Sequence, residues 1–390
     1  MKKILLLLYV IIFNITCWAN DGVYYTSGNQ LIPITETQIS VQKEILDITQ
    51  QDSKMLVHVY YEFYNPGEEK TLLVGFEALP PSGAWSMSEE EYKKLTDHPY
   101  IQDFTVKING QSLKYQVSHV DRKEENYYQN GKFKELTKQQ ELEFGREMDF
   151  GDYIPFLFVY HFNATFKKGL NIVEHTYTFN KSMYVGVDYT LDYVLTAANR
   201  WANHQIDDFT MNLNMGDRTS FDVQATFFKG EGGWTINGIG RKNLAKQYEN
   251  YLLRFHIQQG SVTFHKKNFH PEGELELVQT FYVEQDENVE PDDCEYYYRY
   301  NFKKAYPTHM MMYSGNYDDS NCKPLSPELK KILRNLPFAT RGYVFKTKAI
   351  QDYYESTDWY VANPDYVSDM KDLSENEREW VEYWTQQQKH

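Results

Sequence analysis

Between residues 37 and 283 the chain consists mostly of short, alternating apolar segments separated by turn residues, and that rhythm confines it to antiparallel β structure. Residues 55–64 are rich in Val, Tyr and Phe and end at Asn65-Pro66-Gly67, where Pro sets φ and Gly accepts a positive φ. Residues 71–76 read as the returning strand, which Pro80 and Pro81 stop. Residues 104–108 and 113–117 flank Asn109-Gly110, a strong hairpin signal. Residues 156–166 and 170–179 flank Lys168-Gly169 as a second hairpin candidate. Residues 209–214, 221–228, 251–257 and 275–283 continue the series. Near the start, Ile39, Val41, Ile45 and, after a change of phase, Leu46 and Ile48 are the inward residues. The pattern predicts an antiparallel β-sandwich region over residues 20–285, in one or two domains.

Two segments break the rhythm. Ser88 ahead of Glu89-Glu90-Glu91 predicts a short helix to about residue 96. Residues 122–147 are highly charged and lack alternation, so a polar helix or excursion is expected near 120–150, as a functional loop or as plain solvated surface. Residues 286–325 then form an acidic segment containing Asp286, Glu287, Glu290, Asp292, Asp293 and Glu295. It reads as a solvated linker. Ca²⁺ coordination is the alternative, since hard cations take several oxygens, but the EF-hand order is missing. Residues 326–390 turn helical. Ser326 is the N-cap, Pro327 the first helical residue, and Leu329, Ile332, Leu333 and Leu336 form an apolar face that Pro337 must end or kink. A second helix is expected over 347–354. A third opens at Ser374, whose spacing to Glu377 fits a capping box, and places Trp380, Val381 and Trp384 on one face. The whole is β-rich plus α: a sandwich followed by a small all-helical C-terminal domain.

The N-terminus carries an address. Lys2 and Lys3 precede an apolar run over residues 4–13, and Cys17-Trp18-Ala19 offers small residues for cleavage, so residues 1–19 read as a signal peptide. Lipid attachment at Cys17 is the rival reading, and Asn14 and Thr16 suit it poorly. Export to the periplasm or cell surface leaves Cys294 and Cys322 as an even pair in an oxidising compartment. A disulfide between them would close a loop of about 29 residues and stabilise by about 3–4 kcal/mol on the chain-entropy model. The mature chain offers no transmembrane segment, and its mean hydropathy of -0.65 excludes a polytopic membrane protein. Forty Lys and Arg against 55 Asp and Glu, a net charge of -15, argue against a nucleic-acid partner.

Motifs for chemistry are missing. The sequence contains no Gly-x-Ser-x-Gly elbow, no His-Glu-x-x-His pair and no Walker loop, and the 11 His are scattered. Gly230-Glu231-Gly232-Gly233 lies between β-like segments and reads as a turn. No catalytic residue, metal site or organic cofactor is assigned, and the non-catalytic reading is preferred.

Leu333-Arg334-Asn335, Phe338-Ala339-Thr340-Arg341-Gly342, Tyr343-Val344-Phe345, Tyr353-Tyr354, Trp359-Tyr360 and Leu373-Ser374 with Glu377 form an ordered series. The stretch resembles the YARHG domain, a small helical extracellular module of bacteria, although Phe338, Thr340 and Arg341 depart from its signature. The resemblance implies a cell-envelope setting and peptidoglycan binding. Near the N-terminus, Asp21-Gly22, Glu44-Ile45-Leu46 and the run from Val74 to Pro80 resemble a β-rich exported family of unknown function. Arg334 and Arg341 flank a Pro-interrupted turn and could grip a carboxylate bidentately beside Gly342, with Trp359 and Tyr360 as a flat apolar surface. In the alternative, both Arg residues cap helix carbonyls or pair with Asp352 and Glu355. The expected function is an exported, non-catalytic envelope protein that binds peptidoglycan or another glycan or peptide. A structural or assembly subunit binding envelope proteins is the alternative, and an uncharacterised hydrolase a further one.

Overall fold

The computed structural model describes residues 32–33, 38–52, 54–78, 101–121, 127–147, 156–180, 187–247, 250–280 and 325–388. The expected signal segment, the helix expected after Ser88, Cys294, Cys322 and almost all of the acidic segment lie outside the described residues. No described helix is long and apolar enough to cross a membrane.

The first half of the chain supplies β1 (Ile32–Pro33), β2 (Ser40–Gln51), β3 (Lys54–Asn65), β4 (Lys70–Ala78), β5 (Ile101–Ile108), β6 (Gln111–Ser112), β7 (Gln116–Asp121), β8 (Tyr128–Gln129), β9 (Lys132–Phe133) and a helix, α1 (Lys138–Glu147). There follow β10 (Phe156–Phe166), β11 (Gly169–Asn180), β12 (Val187–Tyr193), β13 (Ile206–Asn214), β14 (Thr219–Gln224), β15 (Trp234–Gln247), β16 (Asn250–Phe269) and β17 (Leu275–Thr280). They make a four-stranded sheet, β1-β4-β10-β7, and an 11-stranded sheet, β12-β17-β14-β16-β13-β2-β3-β11-β5-β6 with β15 against β16. Pairing is antiparallel except between β2 and β13, which are far apart in sequence and need no hairpin to meet.

The two sheets share one core. Phe76 of β4 stacks on Phe104 of β5, with ring centroids 5.4 Å apart, and meets Tyr177 of β11 at 5.2 Å. Trp201 follows β12 in a short 3-10 turn and packs against Phe63 at 4.4 Å. Side chains of this size each contribute roughly 1.5–3 kcal/mol on burial, so the aromatic contacts across the layers are what hold the sandwich closed.

The turns fall where the sequence puts them, but two of them do not make hairpins. Asn109 and Gly110 both have positive φ and join β5 to β6 as a two-residue hairpin. The Asn65-Pro66-Gly67 turn instead carries the chain from β3, in the large sheet, to β4, in the small one. Lys168-Gly169 likewise leads from β10 in the small sheet to β11 in the large. Side-chain amides stabilise both crossings: Asn65 Nδ2 donates to the carbonyls of Glu68 and Phe166, and Asn171 Nδ2 to those of Lys167 and Gly169. In β2, a register shift between Val41 and Lys43 places Glu44, rather than Ile45, among the inward residues.

A second, separate core lies in the C-terminal helices, α2 (Pro327–Ala339), α3 (Lys348–Glu355) and α4 (Glu375–Gln387). Ser326 accepts from the Leu329 amide as N-cap, and Ser374 and Glu377 form a complete capping box. Pro337 sits in the last turn of α2 and the helix continues to Ala339. Leu329, Ile332, Leu333 and Leu336 face Trp380 and Trp384 across the pair.

His175 and His256 are buried in the β region, and burial pushes each imidazole down to about 3 from an ordinary 6.5. Neighbouring charge lowers both further: His58 for His175, and Arg241 and Arg254 for His256. Both ring nitrogens of His175 are without a hydrogen-bond partner among the described residues. A histidine with a depressed folded value is harmless above its unfolded pKa and costs stability as pH falls below it. Each group should therefore remove about 1.4 kcal/mol per pH unit as the pH drops from about 6.5 toward 3. His175→Phe should flatten the acid limb of a stability-against-pH curve from urea unfolding. An unchanged slope would show that His175 takes up its proton in the folded state.

Candidate functional site

The charged excursion between β7 and β10 is folded and builds the site. Asn130 and Gly131 have φ of 52° and 77° and close the β8–β9 hairpin, which lies over the outer face of the four-stranded sheet. Tyr127 and Phe133 pack there against Val120 and Val159. Edge strand β7 is gripped on both sides, because adjacent residues point to opposite faces. On one side Ser118 reaches Glu135. On the other, His119 Nδ1 lies 2.6 Å from Glu141 Oε1 of α1, and Lys138 donates to the second oxygen of the same carboxylate at 3.0 Å. Burial would raise the Glu141 carboxyl. The hydrogen bonds and charges of His119 and Lys138 outweigh it and hold the group below the usual carboxylate range.

The hairpin and the sheet enclose a cavity of about 660 Å³. Its floor comes from Leu73 of β4, Ser118 of β7, and His161 and Asn163 of β10. Its walls are Lys114, Tyr115 and Gln116 on one side and Tyr128, Lys132, Phe133 and Glu135 on the other. Ser118 and His161 are diagonal neighbours across the β7–β10 ladder, where Ser118 faces Val159 and His161 faces Gln116. Ser118 Oγ donates to Glu135 Oε1 at 2.5 Å and lies 2.9 Å from His161 Nε2. A hydroxyl has one hydrogen, and here Glu135 receives it, so Nε2–H of His161 is the donor to Ser118. Burial pushes His161 below the ordinary imidazole value, against the opposing charge of Glu135. The Phe133 ring packs on the imidazole at 4.3 Å. The result is a cavity with aromatic walls and a one-way hydrogen-bond chain at its base.

The residues singled out in the helical segment lie elsewhere, and their polar side chains are bonded to other groups of the protein. Arg341 is 7% exposed, and its guanidinium binds Glu377 through Nη1 at 2.8 Å and Nη2 at 2.7 Å. The same nitrogens donate to the carbonyls of Pro337 and Asp372. Arg334 donates to Gln388 Oε1 at 3.0 Å. Trp359 is 1% and Tyr360 4% exposed, both in the core, and the Tyr360 hydroxyl donates to the Tyr343 carbonyl. Gly342 has φ of 78°, and a Cβ there would lie 2.6 Å from the Val361 carbonyl oxygen, so the position suits glycine alone. Helix-carbonyl capping by Arg341, one of the two alternatives the sequence left open, is what this geometry contains, with Glu377 in place of Asp352 and Glu355.

The helical segment also touches the β scaffold. Gln258 of β16 donates to the Thr340 carbonyl at 3.1 Å, Arg218 in the β13–β14 turn lies 3.8 Å from Glu377, and Arg241 of β15 donates to the Asp358 carbonyl. Burial would raise the Glu377 carboxyl. The hydrogen bonds from Arg341 and the Ser374 amide, with the charges of Arg341 and Arg218, hold it below the usual range.

The helical geometry can be set beside known proteins. Residues 308–389 match the YARHG domain. The YARHG domain is an extracellular module, and the matched residues contain all three C-terminal helices. Residues 19–130 match a domain of unknown function, DUF4424, which runs from before β1 to the β8–β9 turn. No curated protein sequence matches the chain. Among solved structures, a candidate nutrient binding protein from Legionella pneumophila is 17% identical, with a TM-score of 0.48 over 94% of this chain and 98% of its own. Baculovirus P35 is 10% identical, with a TM-score of 0.23 over 64% of this chain and 98% of its own.

Sequence reasoning missed Ser118, Glu135 and His161 altogether. The Asn130-Gly131 pair inside the charged stretch was the available signal, since it marks a hairpin as plainly as Asn109-Gly110 does. For the YARHG segment, Arg341→Ala should cost about 3–5 kcal/mol, because it leaves Glu377 buried without its partner. Hydrogen exchange in α4 at neutral pH should report the loss. The folded value of Glu377 is depressed, so the pair's contribution is present above about pH 4.3 and fades as pH falls through the folded value. The gap between variant and wild type should close in acid, and equal exchange at pH 7 would show the pair to be idle.

Proposed function

We propose that this is an exported, non-catalytic binding protein of the bacterial envelope whose ligand is a cell-wall glycan or glycopeptide held in the cavity on the outer face of the small sheet. The observation that carries the reading is the cavity itself. It has room for one or two sugar rings, aromatic walls in Tyr128 and Phe133, and hydroxyl-bonding groups in Gln116, Glu135 and Asn163. The YARHG segment supports an extracellular setting for it. In this reading Arg341, Gly342, Trp359 and Tyr360 serve the segment's own fold, and the segment is fixed to the β scaffold through Gln258 and Arg218.

The direction of the hydrogen bonds supports binding over hydrolysis. A nucleophilic serine must donate its hydrogen to a base that can take the proton, usually an imidazole nitrogen with a lone pair. Here the serine hydrogen points to Glu135, and the imidazole is a donor to the serine. That arrangement fixes side chains in place for recognition.

The test is retention of the full chain on purified peptidoglycan, followed by titration calorimetry with soluble wall fragments. Tyr128→Ala and Asn163→Ala should each weaken binding about tenfold, or about 1.4 kcal/mol, with thermal melting used to confirm that both variants are folded. Retention no greater than that of an unrelated acidic protein would sink the proposal.

A further inference from the structure

The cavity has a charge pattern that runs against the rest of the protein. With 55 acidic and 40 basic residues, an arbitrary patch of this surface should be acidic. The charged residues lining the cavity are instead Lys114, Lys132 and Glu135. Both lysines are exposed, and neither is in an ion pair with a described residue, whereas Lys138, Lys168 and Lys348 are each matched to a carboxylate. They arrive from independent segments, Lys114 from the stretch between β6 and β7 and Lys132 from the β8–β9 hairpin. Glu135 has Oε1 engaged by Ser118, which fixes the carboxylate and leaves its other oxygen available to accept from a hydroxyl.

We infer that the cavity selects an acidic saccharide, a ring with hydroxyls and one carboxylate, whose anionic group is held by Lys114 and Lys132. Each part of the lining then has a counterpart on the ligand. The lysines are point charges suited to a carboxylate, and Glu135 and Asn163 accept from or donate to hydroxyls. Tyr128 and Phe133 cover an apolar ring face. A neutral sugar would leave both lysines without a partner. A simple inorganic anion would leave the aromatic walls and Glu135 without one. Glu135 disfavours a second negative charge on the ligand, so a monoanion is the best match. This inference rests on the glycan-binding reading above and adds the charge of the ligand to it.

A matched pair of probes isolates that charge. N-acetylmuramic acid is N-acetylglucosamine bearing one lactyl carboxylate, and both can be titrated calorimetrically into the full chain. The acidic sugar should bind about tenfold more tightly than the neutral one in low salt, the effect of one charge-assisted contact. That preference should shrink at about 0.3 M salt, where screening is short-ranged. Lys114→Gln combined with Lys132→Gln should bring the preference to about one, with the acidic sugar losing about tenfold more affinity than the neutral one. Lys132→Arg, which keeps the charge, should retain most of the preference. Because both lysines are exposed, the melting temperature should not move. Each single Gln variant should give part of the loss, so a poorly folded double variant leaves the question decidable. Equal binding of both sugars by the wild-type protein would overturn the inference and leave glycan binding standing. Loss of both sugars in equal measure in the well-folded double variant would also overturn it, since the lysines would then shape the cavity and not select charge. Binding of neither sugar, nor of any wall fragment, would remove the glycan reading and this inference together.

Discussion

Strand β10 is buried on both faces from Phe158 to Phe162, and the architecture around the candidate site follows from that. A strand alternates strictly, so its residues must satisfy two different environments in turn. On the inner face Phe158, Tyr160, Phe162, Ala164 and Phe166 enter the core between the sheets, where Tyr160 meets Phe76 at 5.3 Å and Phe104 at 5.2 Å. On the outer face Val159 closes a small apolar contact under the β8–β9 hairpin, and His161 and Asn163 line the cavity. A slip of one residue would place His161 among the aromatics and expose Phe162. The inner aromatics therefore set the register that brings His161 to Ser118. The groups at the base of the cavity stand on a strand whose register is set by four aromatic side chains on its inner face, Phe158, Tyr160, Phe162 and Phe166.

The helical segment depends on a different interaction, the bidentate contact between Arg341 and Glu377. Both groups are almost fully buried, and burying two charges is unfavourable unless their remaining hydrogen-bond sites are filled. Here they are filled. The guanidinium also satisfies the carbonyls of Pro337 and Asp372, and Glu377 receives the Ser374 amide as part of the capping box. One ion pair thus closes the C-terminal end of α2, the chain before α4 and the N-terminus of α4. Arg218 brings a third charge from the β scaffold to the same carboxylate. An arginine at this position serves as a many-donor joint, which a histidine with two ring nitrogens could not reproduce.

What the sequence disclosed and what it concealed divide along the range of the signals. Helix caps act over three or four residues, so Ser326, Pro327, Ser374 and Glu377 could be read directly. Asn109-Gly110 is equally local. Turn residues such as Asn65-Pro66-Gly67 say that the chain reverses, but the partner of the next strand depends on aromatics tens of residues away, and here two short turns, after Asn65 and after Phe166, change sheets. The burial of Glu44 could not be read either, because the phase change after Val41 shifts by one residue which side chain faces in. Ser118, Glu135 and His161 come from three segments separated by 17 and 26 intervening steps of sequence, and no short pattern links them. Trp359 and Tyr360 were open to misreading for the opposite reason. Their neighbourhood looks like an exposed loop in sequence, yet Tyr354, Tyr343 and Gln351 enclose them.

The contrast between these two clusters bears on where a ligand can act. In the helical segment the prominent polar groups already meet protein partners: Arg341 with Glu377, Arg334 with Gln388, Tyr360 with Tyr343. A ligand seeking Arg341 would have to displace a buried carboxylate and two backbone carbonyls, those of Pro337 and Asp372, a loss of several kcal/mol before any gain. At the cavity the internal hydrogen bonds run among Ser118, His161 and Glu135, while Lys114, Lys132 and Asn163 face the opening with no such debt to the fold. Rigid groups at the base and unengaged donors at the rim give a surface whose geometry is set before a ligand arrives, so little ordering is required on binding. The same reasoning explains why the charged excursion had to fold. Left as a mobile loop, it would place Lys132 and Phe133 anywhere. Pinned by Glu135 on Ser118 and Glu141 on His119, it holds them on the same cavity that Lys114 and Gln116 line.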